Sequence, residues 1–351
     1  MQYLAKTLTA AAVALALVAC GGPRQPGTSG SPSDPAEPTD SDTLTVFTHD
    51  AFTLPDELKA RFAEETGYEV TYTTPGDSGA LVNQLILTKD SPLGDVVFGV
   101  DNTFASRAAE AGVLAAYDSP AAAAVPDEFR AADLTPVDYG DVCINADLAW
   151  FEANDLPLPV TLDDLTDPRY QDLLVVTNPA SSSPGLAFLI ATVGAKGDGY
   201  LDYWRALMDN GTKVAAGWSE AYYTDFSGAD GKGPRPLVLS YATSPAFTVA
   251  GDTSTTAALL ETCFRQVEYA GVIAGAENEV GARKFIDFLL SEEVQAAIPE
   301  NLYMFPVVPE TPLPEVWERF AVLSQEPIDV PQSDIGASRD EWIRAWTDAT
   351  S

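Results

Sequence analysis

One histidine, three cysteines and three methionines are spread over 351 residues, and these scarcities exclude much familiar chemistry. The single imidazole, His49, stands beside Asp50 at the end of an alternating stretch; neighbouring strand residues project to opposite faces, so the two form no dyad. The chain has no G-x-S-x-G, H-E-x-x-H, P-loop or Rossmann glycine pattern. A cysteine nucleophile needs a free thiol near a base, and a His/Cys metal cluster needs more ligands than this sequence supplies. A hydrolase run by paired carboxylates stays open, because acidic residues abound. Basic residues are scarce as well, 19 Lys and Arg against 52 Asp and Glu, for a net charge of −33. Such a field repels nucleic acid and anionic lipid and concentrates cations, although solubility alone accounts for it equally well.

Long apolar runs are also missing. The most apolar stretch is Leu8 to Ala19 within "MQYLAKTLTAAAVALALVAC", too short to remain as a membrane-spanning helix. With Lys6 before it and small residues leading into Cys20, residues 1–19 read as a secretion signal. The ending "LVAC" resembles the lipobox of bacterial lipoproteins, in which the cysteine is diacylated, so Cys20 is the expected lipidation site. Residues 20–42, "CGGPRQPGTSGSPSDPAEPTDSD", offer almost nothing to bury and read as a flexible tether with a reach of roughly 25 Å. Export to an oxidising compartment makes pairing of the two remaining cysteines, Cys143 and Cys263, the expectation.

What is present from residue 43 onward is ample core, with 46% hydrophobic residues over the whole chain, in a length suited to two ordinary domains. "TLTVFTHDAF" alternates into a strand, "PDELKARFAEETGYEV" is a proline-led helix closed by Gly67 before a second strand, and "DSGALVNQLILTKD", "GDVVFGVD" and "TFASRAAEAGVL" continue helix, strand, helix. A second series runs through "VDYGDVCINADLAWF", "DLLVVTNPASSSPGLAFLIATVG" and "RPLVLSYATSPAF". "CFRQVEYAGVIAG" reads as a strand, and "NEVGARKFIDFLLSEEVQAAI" as a helix with an apolar face. This grammar predicts an α/β fold with a mostly parallel sheet and ligands at the carboxyl ends of strands, where Asp50, Gly76–Ser78 and Asp101–Asn102 fall.

The stretch "GWSEAYYTDF" (217–226) concentrates a tryptophan, a glutamate and two tyrosines. Phenolates with Glu220 are potential ferric ligands; aromatics beside a carboxylate are a potential cage for an organic cation. Ser219 reads as the N-cap of a short helix, and adjacent helical residues diverge by about 100°, so only one of Tyr222 and Tyr223 is expected to face a cleft. Further aromatics, Tyr139, Tyr241, Phe247, Tyr303 and Phe305, fall in presumed loops among Ser, Thr and Asp, which suits a flat organic ligand neutralised by Asp50, Asp101 and Glu220.

In order and spacing, "DVVFGVDN", "VDYG", "NPASSSPGLAFL", "GWSEAY", "LVLSYATSPAF", "QVEYAG" and "IPENLYMFPV" resemble the thiamine-binding receptors of bacterial ABC importers. That resemblance implies a two-lobed periplasmic-binding-protein-like fold with a two-strand hinge and a ligand cleft between lobes: lobe 1 from 43–139 and again from 266–351, lobe 2 from 140–265. Crossing strands at "VDYGDVCIN" and "CFRQVEYAG" would be neighbours, which suits a Cys143–Cys263 bond. The resemblance further implies thiamine or its phosphate esters as transported ligand with no reaction, no cofactor and no metal, a permease and its ATPase as partners, and a monomer lipid-anchored at the outer face of the cell membrane. It places Asp101, Ser183, Trp218, Tyr241 and Phe247 in the site, with Tyr303 beside them, Tyr222 at the motif position and Tyr223 pointing away. The chain departs from the family pattern in having Phe247 for tyrosine, Tyr303 for tryptophan and "FTHD" for "YTYD"; the first change removes a hydroxyl donor and weakens the expectation for phosphate esters.

Overall fold

The computed structural model describes residues 38–351; the expected signal, Cys20 and most of the expected tether lie outside them. The body begins earlier than expected. Thr39 donates its hydroxyl to Ala276 O (2.9 Å), Asp40 accepts from the Tyr68 hydroxyl (3.0 Å), and Asn278 Nδ2 donates to Ser41 O (3.0 Å), so 39–42 belong to the folded domain.

Eight principal strands are β1 (Thr43–Thr48), β2 (Glu69–Thr73), β3 (Val96–Asp101), β4 (Thr135–Asp147), β5 (Leu174–Thr177), β6 (Lys213–Ala215), β7 (Leu237–Tyr241) and β8 (Phe264–Ile273). They form one continuous mixed sheet in the order β2-β1-β3-β8-β4-β7-β5-β6. β1 pairs in parallel with β2 and β3 at one end, and β5 in parallel with β6 and β7 at the other. These are the two strand series read from the sequence. Between them lie β8 and β4, antiparallel to each other with Glu268 opposite Asp138 and Phe264 opposite Val142. β4 goes on to pair with β7 from Val142 to Ala146, so its two ends serve different halves of the molecule.

The principal helices are α1 (Asp56–Thr66), α2 (Ser78–Leu87), α3 (Ala105–Ala111), α4 (Ser183–Lys196), α5 (Tyr200–Asp209), α6 (Glu279–Leu289), α7 (Glu292–Leu302) and α8 (Gln332–Thr350). α1 follows Pro55 and ends at Gly67, as its sequence predicts. In the first lobe Phe62, Phe98, Phe285, Ile286 and Ile298 pack with Leu44 and Val46. In the second, α4 is buried from Ser183 to Thr192, because the sheet covers one side of it and α5 and α8 the other. Trp204 closes that layer, edge-on to Phe188 and Trp346 (centroids 5.4 and 5.5 Å), and its indole N–H reaches Thr192 Oγ1 at 2.9 Å.

α8 differs from the expectation that everything after 266 returns to lobe 1. It packs on α4 and α5 of the second lobe while Arg339 lies over Phe104 of the first (5.8 Å). Trp346 packs on Trp204 of the second lobe's helical layer, whereas the start of the helix meets α3 of the first lobe, Gly336 beside Ser106, so α8 bridges the two.

Cys143 of β4 and Cys263, immediately before β8, form a disulfide with Cα atoms 4.3 Å apart across a sequence separation of 120. Closing a loop of that size restricts the unfolded chain by on the order of 5 kcal/mol in the chain-entropy picture. Intact-mass analysis without reductant is expected to show the pair linked, and Cys143→Ser with Cys263→Ser to lower unfolding free energy in denaturant by several kcal/mol. Thiols that label quantitatively in the unreduced protein would contradict the assignment.

Candidate ligand cleft

A cavity lies where the two halves of the sheet meet. One wall comes from the end of β1 (His49, Asp50, Ala51) and the start of α2 (Asp77, Ser78). The other comes from the start of α4 (Ser183, Pro184), the turn at Trp218 and the end of β7 (Tyr241); Glu268 forms the floor, and Leu302, Tyr303 and Met304 close one side. The cavity measures about 30 Å³, room for little more than ordered water. A neighbouring cavity of about 460 Å³ shares Trp218 and Tyr303 with it and adds Tyr222, Tyr223, Asp230, Ser244, Phe247 and Thr248.

Asp77 draws the walls together. As N-cap of α2 it accepts from its neighbour Ser78 N (2.7 Å), and it also accepts from the other lobe, from Ser183 N at 3.3 Å and Trp218 N at 3.4 Å. Those two amides open helical turns, where free N–H groups and the helix dipole favour an anion. Gly79 makes the approach feasible: a Cβ there would stand 2.8 Å from the backbone carbon of Ser181.

Trp218 is held on three sides. Its indole N–H donates to Ser240 Oγ (2.9 Å), Tyr222 stacks on it at 5.0 Å and 18°, and Glu220 accepts from Ala216 N (3.0 Å), bracing the turn. Tyr303 lies 6.1 Å away and Tyr241 6.3 Å. Tyr303 takes a left-handed backbone (φ 62°), uncommon for a bulky residue; its carbonyl accepts from Thr243 Oγ1, and its ring stands edge-on to Phe247 at 4.1 Å.

Among the described residues, the ionisable groups lining the central cavity are the carboxylates of Asp50, Asp77 and Glu268, the Tyr241 and Tyr303 phenols, and one imidazole, with no lysine or arginine. His49 Nε2 lies 3.5 Å from Glu268 Oε2. Burial works against a charged imidazole there, but Glu268, Asp77 and Asp50 outweigh it and raise the His49 pKa. Burial is also the main cause raising Asp77 and Tyr241.

Of the residues anticipated from sequence, Asp50, Ser183, Trp218, Tyr241 and Tyr303 come together around this cavity. Asp101 does not line it. It is fully buried behind the wall, its Oδ1 accepting from Thr103 N and Oγ1 and from Phe104 N (2.6, 2.5 and 3.2 Å), and burial pushes its pKa to about 7. Glu220 turns outward to Lys213 (3.5 Å), and Phe247 lines the neighbouring cavity. Tyr223, expected to point away, is half-exposed but lines that same cavity, edge-on to Trp218 at 5.4 Å. Both tyrosines border it because the chain after Glu220 widens into a π-turn, Ala221–Asp225, which alters the 100° step assumed for a regular helix. Sequence reasoning passed over His49 and Glu268 as ligand-facing groups and reached Asp77 only within the strand-end stretch 76–78. The capping pattern "GDSG" was the available signal for Asp77; Glu268 sits mid-strand with no local mark.

The matching family model, described as bacterial extracellular solute-binding protein, covers residues 91–330. The chain belongs to that family. The receptor is 30% identical to the thiamine-binding periplasmic protein of Brucella suis biovar 1 (strain 1330), over 88% of its own length and 92% of the relative's. A solved structure titled periplasmic thiamin binding protein superposes with a TM-score of 0.79 at 29% identity, covering 88% of the receptor and 96% of that chain. The ferric binding protein from Campylobacter jejuni shares the fold alone, with a TM-score of 0.69 at 15% identity, 87% of the receptor and 99% of that chain. The two-lobed architecture is thus that of the periplasmic binding proteins.

Proposed function

We propose that the receptor captures thiamine outside the cell membrane and delivers it to the permease and ATPase of an ABC importer, without acting on it chemically. The observation that carries this reading is a cleft whose charged lining is three carboxylates against one imidazole, walled by Trp218, Tyr241 and Tyr303. Thiamine is a flat organic cation, and a cation over an aromatic face gains about 0.5–2 kcal/mol. The names of the relatives point to the same ligand. In this reading Asp50 and Glu268 neutralise the cation, Trp218 and Tyr303 supply ring faces, and Ser183, whose buried hydroxyl has no partner in the protein, hydrogen-bonds the ligand. Asp101 stands behind the wall opposite Glu268, Glu220 holds the Trp218 turn, and Phe247 fixes Tyr303.

The narrow cavity requires the lobes to part before the ligand enters and to close on it afterwards, bending at β4 and β8. Lobe 1 is assigned 43–139 with the returning chain from 266, and lobe 2 is assigned 140–265, with α8 packed against it. Phosphate esters are secondary ligands: the neighbouring cavity offers Ser244 and Thr248 hydroxyls, but Phe247 brings no donor and Asp230 repels phosphate. A monomer anchored through lipid on Cys20 completes the assignment.

Ferric iron is the competing ligand in this fold. Burial raises the Tyr222 pKa to about 12 and also raises that of Tyr223, so neither is poised as a phenolate. A thermal-shift series with thiamine, thiamine phosphates, Fe(III), polyamines and phosphonates is expected to show thiamine as the strongest stabiliser, by about 2.7 kcal/mol at a hundred times its dissociation constant. A clear shift with another compound and none with thiamine would replace the assignment.

Trp218→Ala is expected to weaken thiamine binding by about 1–3 kcal/mol, the range for a lost aromatic stack or desolvated cation–π contact, while Tyr223→Phe changes it little. A visible tyrosinate charge-transfer band with Fe(III), abolished by Tyr223→Phe, would reverse that ranking. Cys20→Ser is expected to move the receptor from the membrane to the soluble fraction in cell fractionation, and unchanged membrane association would remove the anchor from the account.

A further inference from the structure

Three carboxylates stand in register across three adjacent strands beneath the cleft. Glu268 of β8 is opposite Asp101 of β3 on one side and opposite Asp138 of β4 on the other, and directly opposed residues project to the same face of a sheet. All three are buried, Asp101 and Asp138 completely. Asp101 has its capping bonds to Thr103 and Phe104. Glu268 accepts from Gln266 Nε2 (3.0 Å) and faces His49. Asp138 has neither a cap nor a cation, and both of its carboxylate oxygens are buried without a hydrogen-bond partner. Among the described residues, His49 is the basic group within ion-pair distance of the three, and it contacts Glu268 alone.

Two opposed carboxylates in a dry interior do not both ionise. We propose that Asp138 and Glu268 share one proton in the empty receptor, and that a cation entering beside Glu268 expels it to solvent, so that ligand uptake is an exchange of one cation for one proton. This rests on the reading of the ligand as a cation. The step balances in charge: the pair goes from one negative charge with a proton to two negative charges beside a positive ligand. Burial first, then the neighbouring Glu268 charge, drive the Asp138 pKa well above the ordinary carboxylate range, which supports the neutral acid in the empty state.

The sign of the pH dependence follows. The empty receptor holds one more proton than the loaded one, so affinity is full above the empty pair's pKa. It falls by up to tenfold per pH unit as pH drops below that value, and levels off below the loaded pair's pKa. Other groups facing the pair are His49 from β1, Asp50 after it, Asp77 from α2, Asp101 from β3 and Tyr241 from β7. His49, with its raised pKa, is the rival source of a released proton.

Infrared spectra of the empty receptor near neutral pH test the proton directly. In an Asp101→Asn background, which removes the carboxyl whose pKa is raised to about 7, the carbonyl stretch of a protonated carboxylic acid is expected and is lost on adding Asp138→Asn; a band that Asp138→Asn leaves unchanged, or no band before it, overturns the proposal whatever the ligand is. Titration calorimetry with thiamine, in buffers of equal pH and different ionisation enthalpy, is then expected to give about one proton released by the wild type and by His49→Gln, and close to none by Asp138→Asn. Release that vanishes in His49→Gln assigns the proton to His49, release that persists in Asp138→Asn assigns it to His49, Asp77 or Asp101, and either overturns the proposal. Asp138→Asn swaps a neutral acid for a neutral amide of the same shape, so its melting temperature should stay near that of the wild type. Should it fail to fold, Asp138→Ser, which also removes the carboxyl and leaves Glu268 in place, gives the same readout. Thiamine that leaves the melting temperature unmoved and gives no heat overturns the ligand reading and the exchange with it, and the infrared band separates that case from an unprotonated pair.

Discussion

The antiparallel pairing of β4 with β8 is the constraint on which the rest of the molecule depends. Along it the sheet passes from one lobe to the other without a break: β8 also pairs with β3, and β4 with β7, Val142 facing both Phe264 and Tyr241. The Cys143–Cys263 bond and the buried Asp141, which accepts from Arg265 and from Ser324 N, fasten the same two strands on the second-lobe side. Because both crossovers are ladder strands, the lobes have few ways to move except by bending that ribbon, and the cleft opens on the face where Glu268 and Tyr241 project.

Much of this was legible in the sequence, because periodicity and punctuation are local signals. Pro55 and Gly67 bracket α1, "VVFGV" is apolar throughout because β3 is buried on both faces, and the two crossing strands with their cysteines fell where the motif order implied. The aromatic walls at Trp218, Tyr241 and Tyr303 were found for the same reason, each sitting at an element end. The carboxylates were read less well. Asp101 and Glu220 lie at element ends but turn to near neighbours, Asp101 Oδ1 to Thr103 and Phe104 and Glu220 to Ala216 N and Lys213, whereas Asp77 and Glu268 reach the cavity through contacts made by residues far apart in the chain. Nor did the sequence reveal that α8 packs on α4 and α5 as well as on α3, since an amphipathic helix specifies that it must be covered and not by what.

Electrostatically the interior repeats the surface in a more costly setting. Negative groups outside the cleft are hydrated and cheap, while those within it are desolvated, so an unbound cleft holds its charge down with His49, with amide contacts to Asp77 and with raised carboxylate pKa values. A cation relieves that tension and an anion deepens it. Selectivity by sign of charge therefore precedes any selectivity by shape.

The short stretch at Thr39–Asp42 has a mechanical meaning. Its bonds run to Ala276, Tyr68 and Asn278, all in the first lobe and two of them just beyond the end of β8. Tension applied along the chain from its N-terminal side enters that lobe and is resisted there, by the corner between β8 and α6.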